Sequence, residues 1–373
     1  MEPLPLQGTR IVDLTMGIAG PTGTGMMADL GAEVIKIEAA VRFDLRRQGP
    51  AAKYGVGLWG TEINRNKLSC SIDLTKPKGV ELFKMLVSVS DAVVNSYTPR
   101  VMEQFGLEYE ALRQVNPSIV FVAQPGFGSW GPYRNYVAVG GVLDALSGMA
   151  SVNGYPGGAA IKPPGAYPDS TSGINTALAT MLGLYLRRVT GTGQRIDAPM
   201  IGAMLPLSGE AIMDEILNHR IGVPAGSDRY PDAPNGAYRC QGKDRWVAIS
   251  VKNDRDWTAF CQVIELSDLP SDSRFSSQEQ RWQNRRALDD IVTAYTANRD
   301  AREVMEEFQA RGVEAATLND SRDVLENPQF KERGQFQFVE LVDGETTPLT
   351  LLPWLMDGQR MKVRTPQIGR AHV

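Results

Sequence analysis

The hydrophobic pattern changes period along the chain, and each change marks an element. Short apolar runs in TRIVDL (9–14) and EVIKIE (33–38) have the length and composition of strands buried on both faces. Between them AGPTGTGMMADLGA (19–32) reads as a turn and a helix, with Pro21 near the first helical position. The pattern repeats: a strand in NRNKLSCSIDL, a helix in PKGVELFKMLVSVS, a strand in DAVVNSY, one helix through RVMEQFGLEYEALRQVN, a strand in SIVFVAQ, then the turn-rich PGFGSWGPYRN. This alternation predicts a doubly wound, Rossmann-like parallel sheet.

In AYPDSTSGINTALATMLGLYLRR (166–188), polar turn-formers give way to Ile174, Leu178, Met181, Leu182, Tyr185 and Leu186 at helical spacing. The spacing predicts a helix starting near Asp169, with Asp169 as its N-cap and the apolar stripe facing the core. A turn, a strand in GTGQRIDAPM and a long helical stretch through MLPLSGEAIMDEILNH follow. After Gly222 the Pro-, Gly- and Asp-rich VPAGSDRYPDAPNGAYRC reads as a linker into a smaller α+β domain. That domain has a strand RWVAISV, a helix DRDWTAFCQVI capped by Asn253, amphipathic helices around 277–297 and 301–311, and a strand and turn in GVEAATLND. The expected division is a large α/β domain of residues 1–220 plus 325–373, whose tail carries strands such as QFVELVDG, and a small domain of residues 221–324.

The 373 residues are 42% hydrophobic and 22% charged, enough for two cores. The net charge of −4, without clustered basic residues, argues against nucleic acid as a partner. No apolar run approaches the ~18 residues of a membrane span, and MEPLPLQGTR has no signal-peptide pattern, so a cytoplasmic protein is expected. Cys70, Cys240 and Cys261 lack CxxC spacing and read as reduced core thiols; no metal is expected. His219 and His372 are the only histidines, and His219 reads as a helix-end residue. Carboxylates, lysines or backbone dipoles must therefore carry any chemistry.

Gly23, Gly25 and Ala28 spell G-x-G-x-x-A and Glu38 ends the next strand, which raises an NAD-dependent oxidoreductase as an alternative. Two spacings oppose it: the first glycine lies well past Leu14, and Glu38 follows too soon. Close packing of helix and strand explains the glycines better, and NAD is not expected.

An ordered series of pieces resembles the class III CoA-transferase family, the formyl-CoA transferase type that also includes carnitine CoA-transferase and an α-methylacyl-CoA racemase branch. The pieces are GTRIVDLTMGIAGP, MMADLGAEVIKIE, DLRR, NRNKLSCSIDL, DAVVNSYTPRVMEQFGLEYEALRQVNPSIV, GFGSWGPYRN, LSGMASVNG, PDSTSG, RRVTGTGQRID and GAYRCQGKDRWVAIS. The resemblance implies an interlocked dimer, homomeric or heteromeric, and a cycle in which Asp169 attacks an acyl-CoA thioester, forms a mixed anhydride, and then carries CoA as an aspartyl thioester. An N-terminal helix dipole favours the ionised carboxylate such attack needs. For CoA, the resemblance implies contacts from Ile18, Ala19, Arg47, Ile72, Ser96, Tyr97, Arg100, Val101 and Gln104.

Gln124 and Gly126, in QPGFGSW at a strand end, are candidates to stabilise oxyanions as catalytic groups. Gln104 stands where an Arg is usual in the family and Ala39 where some members have a basic residue, which shifts expected phosphate binding toward Arg42, Arg46 or Arg100. Gly140 and Gly141 replace larger polar residues, an expected widening of the pocket beside Asp169 for a bulky or aromatic acid. Val139 replaces the racemase histidine, which disfavours racemisation. The sequence thus predicts an acyl-CoA:carboxylate CoA-transferase, with succinyl-CoA as the expected donor and a non-catalytic CoA-binding subunit as a further alternative.

Overall fold

The computed structural model describes residues 4–39, 44, 58–266, 268–341, 344–366 and 368–370. In chain order the first part contains β1 (Arg10–Leu14), α1 (Ala19–Asp29), β2 (Glu33–Glu38), α2 (Leu58–Asn64), β3 (Leu68–Ser71), α3 (Pro77–Ser88), β4 (Ala92–Asn95), α4 (Pro99–Phe105), α5 (Tyr109–Val115) and β5 (Val120–Ala123). Then come α6 (Gly140–Leu146), α7 (Met149–Val152), α8 (Tyr167–Thr190), β6 (Arg195–Asp197), α9 (Met200–Met204) and α10 (Gly209–Asn218). A second group follows with β7 (Asn235–Arg239), β8 (Trp246–Ser250), α11 (Asp254–Ile264), α12 (Gln278–Gln283), α13 (Arg285–Thr296), α14 (Ala301–Ala310), β9 (Glu314–Thr317) and α15 (Ser321–Glu326). The chain ends with α16 (Pro328–Glu332), β10 (Phe336–Glu340), β11 (Thr346–Thr350) and β12 (Gly369–Arg370).

Two compact units result: residues 1–152, 161–222 and 328–373, and residues 153–160 with 223–327. The first holds a seven-stranded sheet ordered β12-β3-β2-β1-β4-β5-β6, parallel throughout. Parallel strands need crossover connections, and helices cover both faces as a result. Ile11, Val34, Val94 and Val122 pack toward Met27 of α1 and Ala177 of α8, while Val12, Ile35, Val93 and Phe121 pack toward Phe83 of α3 and Leu112 of α5. The second unit is a three-stranded antiparallel sheet, β7-β8-β9, whose Val247 and Ile249 pack with Phe260, Leu288 and Phe308.

Three expectations change. The single helix expected over 100–116 is two helices, because Gly106 takes a left-handed φ of 61° and caps α4. Part of the stretch read as a linker is strand β7. The third concerns α8, whose expected core stripe faces outward: Ile174, Leu178, Leu182, Tyr185 and Leu186 are exposed and Met181 is half-buried. The buried face instead carries Ser172, Gly173, Thr176, Ala177, Thr180 and Gly183. Small residues are on that face because α8 lies backbone to backbone on α1. A Cβ at Gly23 would be 2.5 Å from the Gly173 carbonyl oxygen, and one at Gly173 would be 2.8 Å from the Ala19 carbonyl oxygen.

Candidate active site

Helix α8 returns along the sheet. Near its end Arg187 pairs with Asp91 at 2.7 Å, at the edge where β4 begins, and Gly183 packs on Val120 at the start of β5. Its beginning therefore lies at the opposite, C-terminal edge of the strands, where open α/β sheets place ligands. Asp169 sits there as the third residue of α8; the helix starts at Tyr167 and Ala166 takes the N-cap position, so Asp169 is a first-turn residue and not the cap. The N-terminal helix dipole still acts on Asp169, since its effect extends over the first turn. Asp169 is half-buried.

The loop after β5 closes onto this helix start. Gly126 backs directly onto Ala138, and a Cβ at Gly140, the first residue of α6, would overlap the Asp169 carboxylate. Gly141 does the same service for Lys162: a Cβ there would lie 3.1 Å from Lys162 Cε. Where a Gly140 side chain would begin lies the Asp169 carboxylate, and beside Gly141 lies the Lys162 stem.

Gln124 is fully buried; its backbone N–H donates to Asn95 O at 2.8 Å, while neither end of its side-chain amide has a partner among the described residues. Such an orphaned amide is costly, which marks the position as unusual. Next along the loop, the Ser129 N–H and hydroxyl both donate to Asp197 (2.9 Å to Oδ2 and Oδ1 respectively), which pins the glycine loop to β6 and commits that amide.

The described residues among those implied for CoA cluster at the same sheet edge. Ile18 and Ala19 open α1, Ile72 follows β3, and Ser96 and Tyr97 follow β4. The Met16 N–H donates to Ser96 Oγ at 3.0 Å, and the Tyr97 hydroxyl donates to Met16 Sδ at 3.4 Å, tying the loops after β1 and β4 together. Ile72 and Tyr97 line one small cavity of about 70 Å³ with Ala39 and Asp44. Arg100 and Gln104 are exposed on α4, with Val101 half-buried between them. Arg47, like Arg42, Arg46 and His372, lies outside the described residues. His219 is the C-cap of α10 in a left-handed conformation with φ of 55°.

Beneath the β1 loop lies a buried charge network that the sequence reading passed over. Asp13 and Lys36 face each other in the β1–β2 ladder. Lys67 Nζ pairs with Asp13 at 3.1 Å and donates to Pro21 O, Thr24 Oγ1 and Asn64 Oδ1, with no solvent exposure at either charge. Lys36 Nζ donates to Thr15 O at 2.7 Å and pairs with Asp44 at 3.2 Å, and Asp44 Oδ1 accepts from the Gly17 N–H. Burial alone would raise the Asp13 carboxyl, but Lys67, Lys36 and the Thr15 and Thr24 hydroxyls hold it well below the usual range. Burial pushes the Lys67 ammonium down to about 8 against the pull of Asp13. Burial would also lower Lys36, yet Asp13, Asp44 and Glu38 raise it. The network fixes the 15–18 turn that presents Ile18. Its signal was available: one charged residue inside each of two apolar strands, of opposite sign.

The glycines of the G-x-G-x-x-A pattern lie within α1 and serve packing. Gly23 meets the Gly173 backbone of α8, and a Cβ at Gly25 would be 2.7 Å from the Ile63 carbonyl oxygen of α2.

With this geometry in hand, comparison with known proteins is informative. The chain matches the model of CoA-transferase family III over residues 6–372. It is 30% identical over 332 residues to the succinyl-CoA–D-citramalate CoA-transferase of Chloroflexus aurantiacus, covering 89% of this chain and 82% of that one. It is also 30% identical over 377 residues to the succinyl-CoA–L-malate CoA-transferase alpha subunit of the same organism, covering 99% and 87%. Among solved structures, a CAIB/BAIF family protein from Brucella suis superposes with a TM-score of 0.87 at 26% identity, over 98% of this chain and 96% of that one. A family match over nearly the whole length, a shared fold and this sheet-edge geometry lead to one conclusion: the chain belongs to CoA-transferase family III.

Proposed function

We propose that the protein transfers CoA from succinyl-CoA to an organic acid with Asp169 as the nucleophile. One observation carries this reading: the Asp169 carboxylate stands in the first turn of α8 at the C-terminal edge of the sheet, lying where a side chain on Gly140 would begin. The donor is taken from the relatives, which are named as succinyl-CoA transferases acting on citramalate and malate.

The cycle needs no base, because carboxylates and thiolates are nucleophiles in their ionised forms. Asp169 Oδ attacks the thioester carbonyl, the C–S bond breaks, and an aspartyl–succinyl anhydride forms with CoA thiolate released. The thiolate attacks the aspartyl carbonyl of that anhydride, succinate leaves, and an aspartyl-CoA thioester remains. The acceptor carboxylate attacks this thioester and expels CoA thiolate, which then attacks the acceptor's carbonyl, giving the new acyl-CoA and restoring the Asp169 carboxylate. Each tetrahedral step places negative charge on oxygen, for which Gln124 and the Gly126 loop are the proposed stabilisers. Gln124 has the chemistry: a buried amide with a donor to offer. Ile18, Ala19, Ile72, Ser96, Tyr97, Arg100, Val101 and Gln104 are proposed to hold CoA, with Arg47 as a further phosphate partner.

The outward face of α8 supports a dimer. Ile174, Leu178, Leu182, Tyr185 and Val189 form one apolar stripe, each at least 50% exposed. A patch of this kind marks an interface. An uncharged stripe is suited to meeting a copy of itself, so we propose two copies of this chain, interlocked as in the family it resembles. The NAD reading loses its basis, since its glycines are packed within α1. A non-catalytic subunit would have no need of the close Gly140–Asp169 fit.

The test is turnover of succinyl-CoA with a panel of carboxylic acids, read by mass spectrometry of the acyl-CoA products. New acyl-CoA from the wild type and none from Asp169→Ala supports the reading. Equal turnover by that variant refutes it.

A further inference from the structure

We infer that Lys162 is the second anchor of this site: a cation that takes the distal carboxylate of a dicarboxylic acyl group whose thioester end meets Asp169. The inference rests on Asp169 being the nucleophile. The two side chains flank consecutive residues of α6. Asp169 occupies the Cβ space of Gly140, and the Lys162 stem packs beside Gly141, with Cε 3.1 Å and Cδ 3.7 Å from where a Cβ would be. Both side chains therefore contact the first turn of α6, and Lys162 Nζ also reaches Gly165 in the turn that opens the Asp169 helix.

The state of the ammonium fits a ligand-binding role. Lys162 Nζ donates to Pro163 O at 3.3 Å and Gly165 O at 3.2 Å, and stands 3.5 Å from Asp144 Oδ2. All three distances lie at or beyond the long end of N–H···O bonds, so short partners do not saturate its donors. The side chain is 47% exposed, which leaves the charge accessible. Asp144 is 1% exposed and its Oδ1 has no hydrogen-bond partner among the described residues. A buried carboxylate needs a counter-charge, and Lys162 is its ion-pair partner there. Asp144 thereby keeps the ammonium beside α6, while Gly165 ties it to the turn that opens α8.

Charge decides the specificity. A succinyl group entering this site brings a distal carboxylate among two acidic side chains, Asp169 and Asp144. Lys162 supplies the compensating cation, and an uncharged acyl chain of equal length gains nothing from it. Lys162 therefore selects acids with a second carboxylate, on both the donor and the acceptor side of the cycle.

The test uses isotope exchange, which needs no identified acceptor: labelled succinate into succinyl-CoA, and labelled butyrate into butyryl-CoA, the four-carbon analogue without the distal charge. The wild type is expected to favour succinate. Lys162→Met should lower kcat/KM for succinate exchange by about 10-fold or more, chiefly through KM, with butyrate exchange within about 3-fold of wild type, which also reports an intact fold. Lys162→Arg should recover most of the loss. The inference is overturned if the wild type exchanges butyrate as well as succinate, if Lys162→Met leaves succinate exchange unchanged, or if both exchanges fall together. Failure of the Asp169 reading looks different: no exchange of either acid by the wild type, or full exchange by Asp169→Asn.

Discussion

Gly140 is a glycine because the Asp169 carboxylate fills the space a side chain would need. Gly140→Ala should therefore push the Asp169 carboxylate, the proposed nucleophile, aside without disturbing the core. A displacement of about 1 Å costs on the order of 100-fold in rate, so kcat should fall by about that factor while the melting temperature stays near wild type. A second residue-scale consequence concerns Lys67, whose folded-state value of about 8 lies below the ordinary 10.5. The folded state disfavours its charged form, a penalty present in full below pH 8 and relieved as pH climbs toward 10.5, so this contribution to stability rises over that window. Urea midpoints of wild type and Lys67→Met measured from pH 8 to 10.5 should shift in favour of the wild type. The start of α8 was legible to within two residues because turn-formers precede a helical period there, whereas the role expected of Asp169 came from the family resemblance. Gly140 was legible only as a departure from the family, and its physical meaning needed the distance to Asp169.

At the scale of elements, the α1–α8 crossing is the joint that places Asp169. A Cβ at Gly173 would meet the Ala19 carbonyl oxygen at 2.8 Å and Thr22 Cβ at 2.9 Å, and backbone cannot rotate away as a side chain can. Helix propensity favours alanine over glycine by about 1 kcal/mol, but overpacking costs about 1–3 kcal/mol and prevails. Gly173→Ala should lower stability by chemical denaturation and lower kcat together, since the crossing holds the helix that carries Asp169. The strands of the parallel sheet were readable because burial on both faces leaves short, mostly apolar runs such as IVDL and VIKIE. The orientation of α8 was not. Periodicity finds the larger apolar stripe and assigns it to the core, whereas this helix buries its small residues and turns the large ones outward. Gly106 likewise interrupts no period; only its left-handed backbone separates α4 from α5.

For the whole molecule, the outward stripe of α8 predicts self-association. Light scattering should give a mass near twice the 40.8 kDa of one chain, and Leu178→Arg with Leu182→Arg should return it toward that of a single chain. The core claim is chemical, and one measurement reaches it directly: intact-protein and peptide mass spectrometry after brief exposure to succinyl-CoA. The account predicts an added mass of CoA on the peptide carrying Asp169, removed by hydroxylamine and absent from Asp169→Ala. An adduct on another residue, or transfer that proceeds with the Asp169 peptide never modified, would contradict it.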